Sequence, residues 1–102
     1  MNARQTVLDI AMNLTRMGNW AADDFAGKRK RIATFLGQTR TFVKEMREMN
    51  RGPLEKTWRN FERDFQRLED EAKGIPANTQ VWAETMMTWG NILTHRAKLL
   101  RK

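Results

Sequence analysis

Residues 53–74 read PLEKTWRNFERDFQRLEDEAKG, and this stretch decides the fold class. Leu54, Trp58, Phe61, Phe65, Leu68 and Ala72 recur at steps of 4, 3, 4, 3 and 4. That is the heptad spacing that lines apolar side chains along one stripe of an α-helix. Pro53 suits a first helical turn, where its missing N–H leaves nothing unpaired. Gly74 followed by Ile75-Pro76 is a stop signal. The intervening charges mix signs, and Glu55/Arg59 and Glu69/Lys73 are i, i+4 pairs in the favourable order. The stretch predicts a helix over 53–73.

Toward the C-terminus, Asn78 or Thr79 offers an N-cap. Trp82, Met86, Trp89, Leu93, Ala97 and Leu100 then mark one helical face, broadened by Val81, Ile92 and Leu99. This helix is predicted over 79–101. Its basic end, Arg96, Lys98, Arg101 and Lys102, complements the helix dipole.

Toward the N-terminus, Val7, Ile10, Leu14, Met17, Ala21 and Phe25 keep one helical phase. The phase resumes through Ile32, Leu36, Val43 and Met46. Gly18-Asn19 reads as a C-cap followed by an N-cap and is the predicted break. Gly27 is the alternative, because the stripe has a charged gap at Lys28 or Arg29. Arg51-Gly52-Pro53 ends the segment. The expected architecture is all-α: an elongated antiparallel bundle of three to four helices at about 3–17, 20–50, 53–73 and 79–101, or with the first two fused into one long kinked helix. A helix over 20–50 would run about 45 Å, longer than the roughly 34 Å width of a compact domain of this size. Neither an internal repeat nor a domain boundary is visible, so residues 1–102 read as a single helical domain.

Composition narrows the function. Leu, Ile, Val and Phe make up 20 of 102 residues and the net charge is +7, but 7 Met and 4 Trp supply further core volume. A chain of this size buries only about 65% of the surface it exposes when unfolded, so the core is thin. Wide apolar faces, with Phe35 and Phe42 off the main stripe, lead to the expectation of a homodimer. Cys, Ser and Tyr are absent and His95 is the sole histidine. Thiolate, serine-triad and tyrosine-nucleophile chemistry are excluded, as are Cys-based zinc sites and a helical di-iron centre. No catalytic constellation assembles, and the chain reads as non-enzymatic, without a metal, a cofactor or a small-molecule substrate. It lacks a long apolar run and the apolar core of a secretion signal, and is expected to be cytoplasmic.

The candidate functional residues are basic and apolar. Lys28-Arg29-Lys30-Arg31 is the densest charge run, but four consecutive helical residues ring the helix, so only pairs such as Lys28 and Arg31 act together. Arg40, Lys44, Arg47 and Arg51 step by 4, 3 and 4 and share one face. Between residues 53 and 73 there are 5 Lys/Arg against 6 Asp/Glu, so the positive charge concentrates elsewhere. Lys28, Arg31, Arg40, Lys44, Arg47, Arg96 and Arg101 are therefore candidates for binding a partner or a polyanion. Trp58, Phe61, Phe65, Trp82, Met86 and Trp89 are candidates for an apolar groove or a dimer seam, although aromatics at this spacing are also what a plain core contains. His95 lacks an orienting carboxylate nearby in sequence. Asp23-Asp24 and Glu69-Asp70-Glu71 read as solvated charge. The leading expectation is a small helical interaction protein that binds a protein partner through a basic helical face and an apolar groove. The alternatives are a sequence-nonspecific binder of nucleic-acid backbone and a peripheral membrane protein using the last helix. A basic patch interrupted in space by Glu favours a protein partner, and a continuous one favours nucleic acid.

Overall fold

The computed structural model describes residues 2–100. They form four helices: α1 (Ala3–Asp24), α2 (Arg29–Arg47), α3 (Glu55–Glu71) and α4 (Thr79–Arg96). Short 3₁₀ turns at Gly52–Leu54 and Ala97–Leu99 precede α3 and follow α4. The helices run alternately up and down, and the bundle measures 38 × 20 × 19 Å.

Local chemistry accounts for most of the boundaries. The Asn2 side chain accepts the Gln5 N–H at 2.8 Å and starts α1, and Asn78 does the same for α4 through the Val81 N–H at 3.0 Å. Gly52 has a φ of +46°, a backbone state that a side chain disfavours, and it turns the chain between α2 and α3. Arg51 secures the same corner. Its Nη1 donates to the Met46 carbonyl at 2.8 Å, a second bond to an acceptor at the end of α2 that also takes the Met49 N–H at 3.1 Å.

The predicted break at Gly18-Asn19 is not where the chain turns. α1 runs unbroken through both residues, and the reversal falls at 25–28, the Gly27 alternative. There the Asp24 carboxylate accepts the Gly27 N–H at 3.0 Å and the Asp24 carbonyl accepts the Lys28 N–H at 3.0 Å. Gly18 is glycine for a different reason. A Cβ built on it would lie 2.9 Å from the Ala83 carbonyl oxygen and 2.4 Å from Met87 Cγ. Gly90 does the same from the other side, where a Cβ would meet Thr15 Oγ1 at 2.6 Å. With Ala11 and Ala83 also buried in this seam, α1 and α4 approach more closely than any other helix pair. The remaining ends shift by smaller amounts: α2 stops at Arg47 rather than residue 50, and α4 gives way to its 3₁₀ turn at Ala97.

The backbone of α3 stands further from its neighbours, and its large side chains fill the gap. Trp58, Phe61 and Phe65 are fully buried and form a run of aromatic contacts with centroid separations of 5.1 and 5.5 Å. Phe25 meets Trp82 edge-on at 5.2 Å and closes the other end. Val7, Ile10, Leu14 and Met17 of α1 and Ile32, Leu36, Val43 and Met46 of α2 point into this same core. The long apolar phase shared by the first two segments thus belongs to two antiparallel helices facing one interior. Phe35 and Phe42 pack partly buried against it, so the wide faces that led to the expectation of a homodimer are largely covered within the chain. Among the described residues, no helix is long and apolar enough to cross a membrane.

Candidate interaction face

The basic candidates divide between the two sides of α2. Toward α3, the Arg40 guanidinium pairs with Glu69, donates to Gln66 at 3.3 Å and lies 5.0 Å from the Phe65 ring centre. Arg47 pairs with Glu62 at 3.1 Å, and Arg51 with Glu55 at 2.9 Å. Arg29 donates to the Lys73 carbonyl at 2.8 Å. Positive charge on this side is therefore met by carboxylates of α3. Lys44 sits one turn from Arg40 and from Arg47 and is exposed. Lys28 pairs with Asp23 across the α1–α2 turn. Arg96 is exposed at the end of α4, remote in sequence from this cluster, and Arg101 lies outside the described residues.

The proposed groove residues are placed differently from that expectation. Trp58, Phe61, Phe65, Trp82 and Met86 are buried in the chain's own interior and present no face to a partner. Trp89 is partly exposed, but its ring rests on Phe61 and its indole N–H donates to Asp64 at 3.0 Å. The reason is simple: four helices with one apolar stripe each consume those stripes in a single core.

The other side of α2, facing α1, sets the candidate Arg31 and the off-stripe Phe35 beside two residues outside the candidate set, Arg16 and Trp20. Trp20 and Phe35 meet edge to face with centroids 4.9 Å apart and planes at 89°. Arg31 of α2 lies over Trp20 of α1 at 5.1 Å, and Arg16 of α1 lies over Phe35 of α2 at 6.0 Å. The two contacts are reciprocal. Each arginine crosses to the ring on the opposite helix, and the spacing from Arg16 to Trp20 matches that from Arg31 to Phe35. One turn further along, Asn13 donates to Gln38 Oε1 at 2.9 Å and to the buried Thr39 Oγ1 at 3.3 Å. This polar contact holds the register of the two helices, since a slip would leave buried polar groups unpaired.

Hydrogen-bond accounting separates this face from the rest of the surface. The indole N–H groups of Trp58, Trp82 and Trp89 all donate within the chain, to Glu62, the Leu68 carbonyl and Asp64. Among the described residues, that of Trp20 has no acceptor, and neither guanidinium of Arg16 and Arg31 meets a carboxylate or any other acceptor. No side-chain nitrogen or oxygen of the described residues is both buried and unpaired, so these donors are open to solvent. Met12, 47% exposed, lies one turn from Arg16. The signal available in the sequence was a pair of Arg-x-x-x-aromatic steps, at 16/20 and 31/35. Only the hairpin brings them together.

Two carboxylates are held below their ordinary range. The Lys28 ammonium hydrogen-bonds Asp23 and attracts its charge. Glu55 accepts hydrogen bonds from Arg51 and Arg59. Both ion pairs are partly open to solvent. Among the described residues, no three Asp, Glu or His side chains gather as metal ligands do. What the α1–α2 face offers chemically is a set of donors around two aromatic rings: it can bind acceptors. No family model matches the chain, and no curated protein or solved structure shows significant similarity to it.

Proposed function

We propose that the chain is a small, non-enzymatic helical interaction protein that binds a protein partner, and that the α1–α2 face is where it binds. The observation that carries this reading is the set of unpartnered donors on Arg16, Arg31 and the Trp20 indole, held around half-buried aromatic rings. Arginine, tryptophan, phenylalanine and methionine are the residues that interface centres favour. A ring beneath each guanidinium restrains it before a partner arrives, which lowers the ordering cost of binding. Arg40 and Arg47 act within the fold instead, and Lys44 is the exposed cation between them.

A protein partner is favoured over nucleic-acid backbone because the longest basic row, at 40, 44, 47 and 51, is interrupted in space by Glu69, Glu62 and Glu55. A polyanion laid along that row would meet these carboxylates as well. The test uses the full chain with a photo-crosslinking side chain at Met12 and, as a control, at exposed Glu84 on α4. A discrete protein adduct from Met12, absent from Glu84 and lost in R16E/R31E, is the expected result. An adduct of twice the chain's mass identifies the partner as a second copy. Absence of a position-specific adduct overturns the reading. So does steeply salt-dependent binding of a labelled DNA duplex that R40E/K44E/R47E abolishes.

A further inference from the structure

The face also specifies the chemistry of what it binds. We infer that it takes an acidic helix whose two carboxylates lie one turn apart, one for each of these two arginines. This rests on the reading of the α1–α2 face as a protein-binding surface.

Geometry sets the spacing. Trp20 lies opposite Arg31, and Phe35 lies opposite Arg16, in one antiparallel register. The levels of residues 16 and 20 on α1 differ by about 6 Å, the rise of four helical residues. Arg16 crosses to α2 at one level and Arg31 crosses to α1 at the other, so the two arginine side chains start from successive turns of the hairpin. Side chains at i and i+4 of a partner helix have Cβ atoms about 5–6 Å apart, which matches this step. Side chains at i and i+2 point to different faces and cannot reach both.

Charge supplies the sign. Every unpartnered polar group singled out here is a donor: two guanidiniums and one indole N–H. Among the described residues the acids of α1 are already engaged, Asp9 with the Gln5 amide, Asp23 with Lys28 and Asp24 with the Gly27 N–H. A carboxylate can accept from the fork edge of a guanidinium whose charge also lies over a ring. A nucleobase lacks this option. One face of each ring it would stack on already carries an arginine, Arg31 over Trp20 and Arg16 over Phe35. Met12, exposed one turn beyond Arg16, provides an apolar contact for the partner's next turn.

The probe is a hydrocarbon-stapled, alanine-based helix with Glu at i and i+4, compared with the same helix carrying Glu at i and i+2 and with its Gln counterpart. Binding to the full chain is followed by the Trp20 indole N–H resonance, with the other three indoles as internal controls. The i, i+4 helix is expected to shift Trp20 alone and to bind at least tenfold tighter than the i, i+2 helix. R16Q or R31Q alone should remove most of that difference, R16K and R31K should restore only part of it, and K44Q should leave it intact. Equal binding of the two spacings overturns the inference, as does a Trp20 resonance that does not move. Tighter binding of a single-stranded oligothymidylate than of the i, i+4 helix overturns it too. If the spacings are equivalent but the Met12 adduct still forms, this inference fails and the protein-binding reading stands. If no adduct forms, the reading itself fails.

Discussion

The two sides of α2 use the same residue in opposite surroundings. Facing α3, Arg40 and Arg47, with Arg51 just beyond the helix, each end on a carboxylate. Facing α1, Arg31 ends on an indole ring, and Arg16 returns the contact from α1 to Phe35. The cause lies in the neighbours. The stretch 53–73 contains 6 acidic residues, whereas α1 has only Asp9 before the Asp23-Asp24 pair at its end. An arginine beside an acidic helix is consumed in holding the bundle together. An arginine beside an aromatic, carboxylate-poor helix is held in place with its hydrogen-bonding edge unused. A count of positive charges does not separate these two fates.

The comparison can be broken most completely by removing the frame beneath both faces. Gly18→Val places a branched side chain where even a Cβ would lie 2.9 Å from the Ala83 carbonyl oxygen. The expected cost is about 3 kcal/mol, read as a fall in the urea midpoint, because overpacked cores must move backbone or adopt poor rotamers. Gly18→Ala should cost less, since alanine recovers roughly 1 kcal/mol of helix propensity. A G18A chain more stable than wild type would show that α1 and α4 do not pack this tightly.

Next in size is the α3 side. Arg40 and Glu69 are only 18% and 21% exposed, so Arg40→Glu sets two carboxylates together with little water between them. A loss of about 1–3 kcal/mol is expected, between the values for exposed and for buried pairs. Glu69→Arg in the R40E background should recover a good part of it, and the double-mutant cycle measures the coupling. A cycle with no coupling would remove the distinction between the two sides of α2.

The α1 side should behave in the reverse way. Arg16→Gln and Arg31→Gln are each expected to cost about 0.5–1 kcal/mol of stability, the worth of an exposed cation–π contact. Their effect belongs on binding, where the acidic helix described above should lose most of its affinity. If R31Q destabilises the fold as much as R40E does, Arg31 is a structural residue and the contrast collapses.

The smallest effect concerns pH. Arg51 and Arg59 hold the Glu55 carboxyl below its ordinary range. A carboxyl depressed in the folded state adds stability above its unfolded pKa, and that contribution is lost as pH falls through the folded value. The advantage of wild type over Glu55→Gln should therefore be present at neutral pH and shrink in acid, by an amount limited by the exposure of the pair. Melting temperatures of the two proteins from neutral to acidic pH check the sign. An advantage that grows in acid would contradict it.

The sequence was most informative where interactions are local. Helix α3 was legible from one heptad stripe, Pro53 and Gly74, and its observed ends fall within two residues of the expected 53–73. The Asn78 cap placed the start of α4 at Thr79. The charged gap at Lys28 and Arg29 marked the true reversal, but Gly18-Asn19 carried the more familiar pattern of a cap. Glycine in a helix has two uses, ending it or letting another helix come close, and nothing within a few residues of Gly18 tells them apart. The distinction depends on Ala83 and Met87, far away in the chain. The candidate face was obscured for the same reason. Arg40, Lys44 and Arg47 form a visible row on one helix, whereas Arg16, Trp20, Arg31 and Phe35 form a group only across two.

By itself, then, the sequence determined that this chain is an antiparallel helical bundle, which stripe of each helix is apolar, and which chemistries its side chains cannot perform. Those properties follow from periodicity, caps and composition, which act over a few residues or over none. Only the tertiary structure decided where α1 ends, which glycines are contacts, which tryptophans keep a free donor and which arginines are spent on carboxylates. Each of these depends on what stands opposite in space, and in a four-helix bundle that is set by how the helices turn and pack.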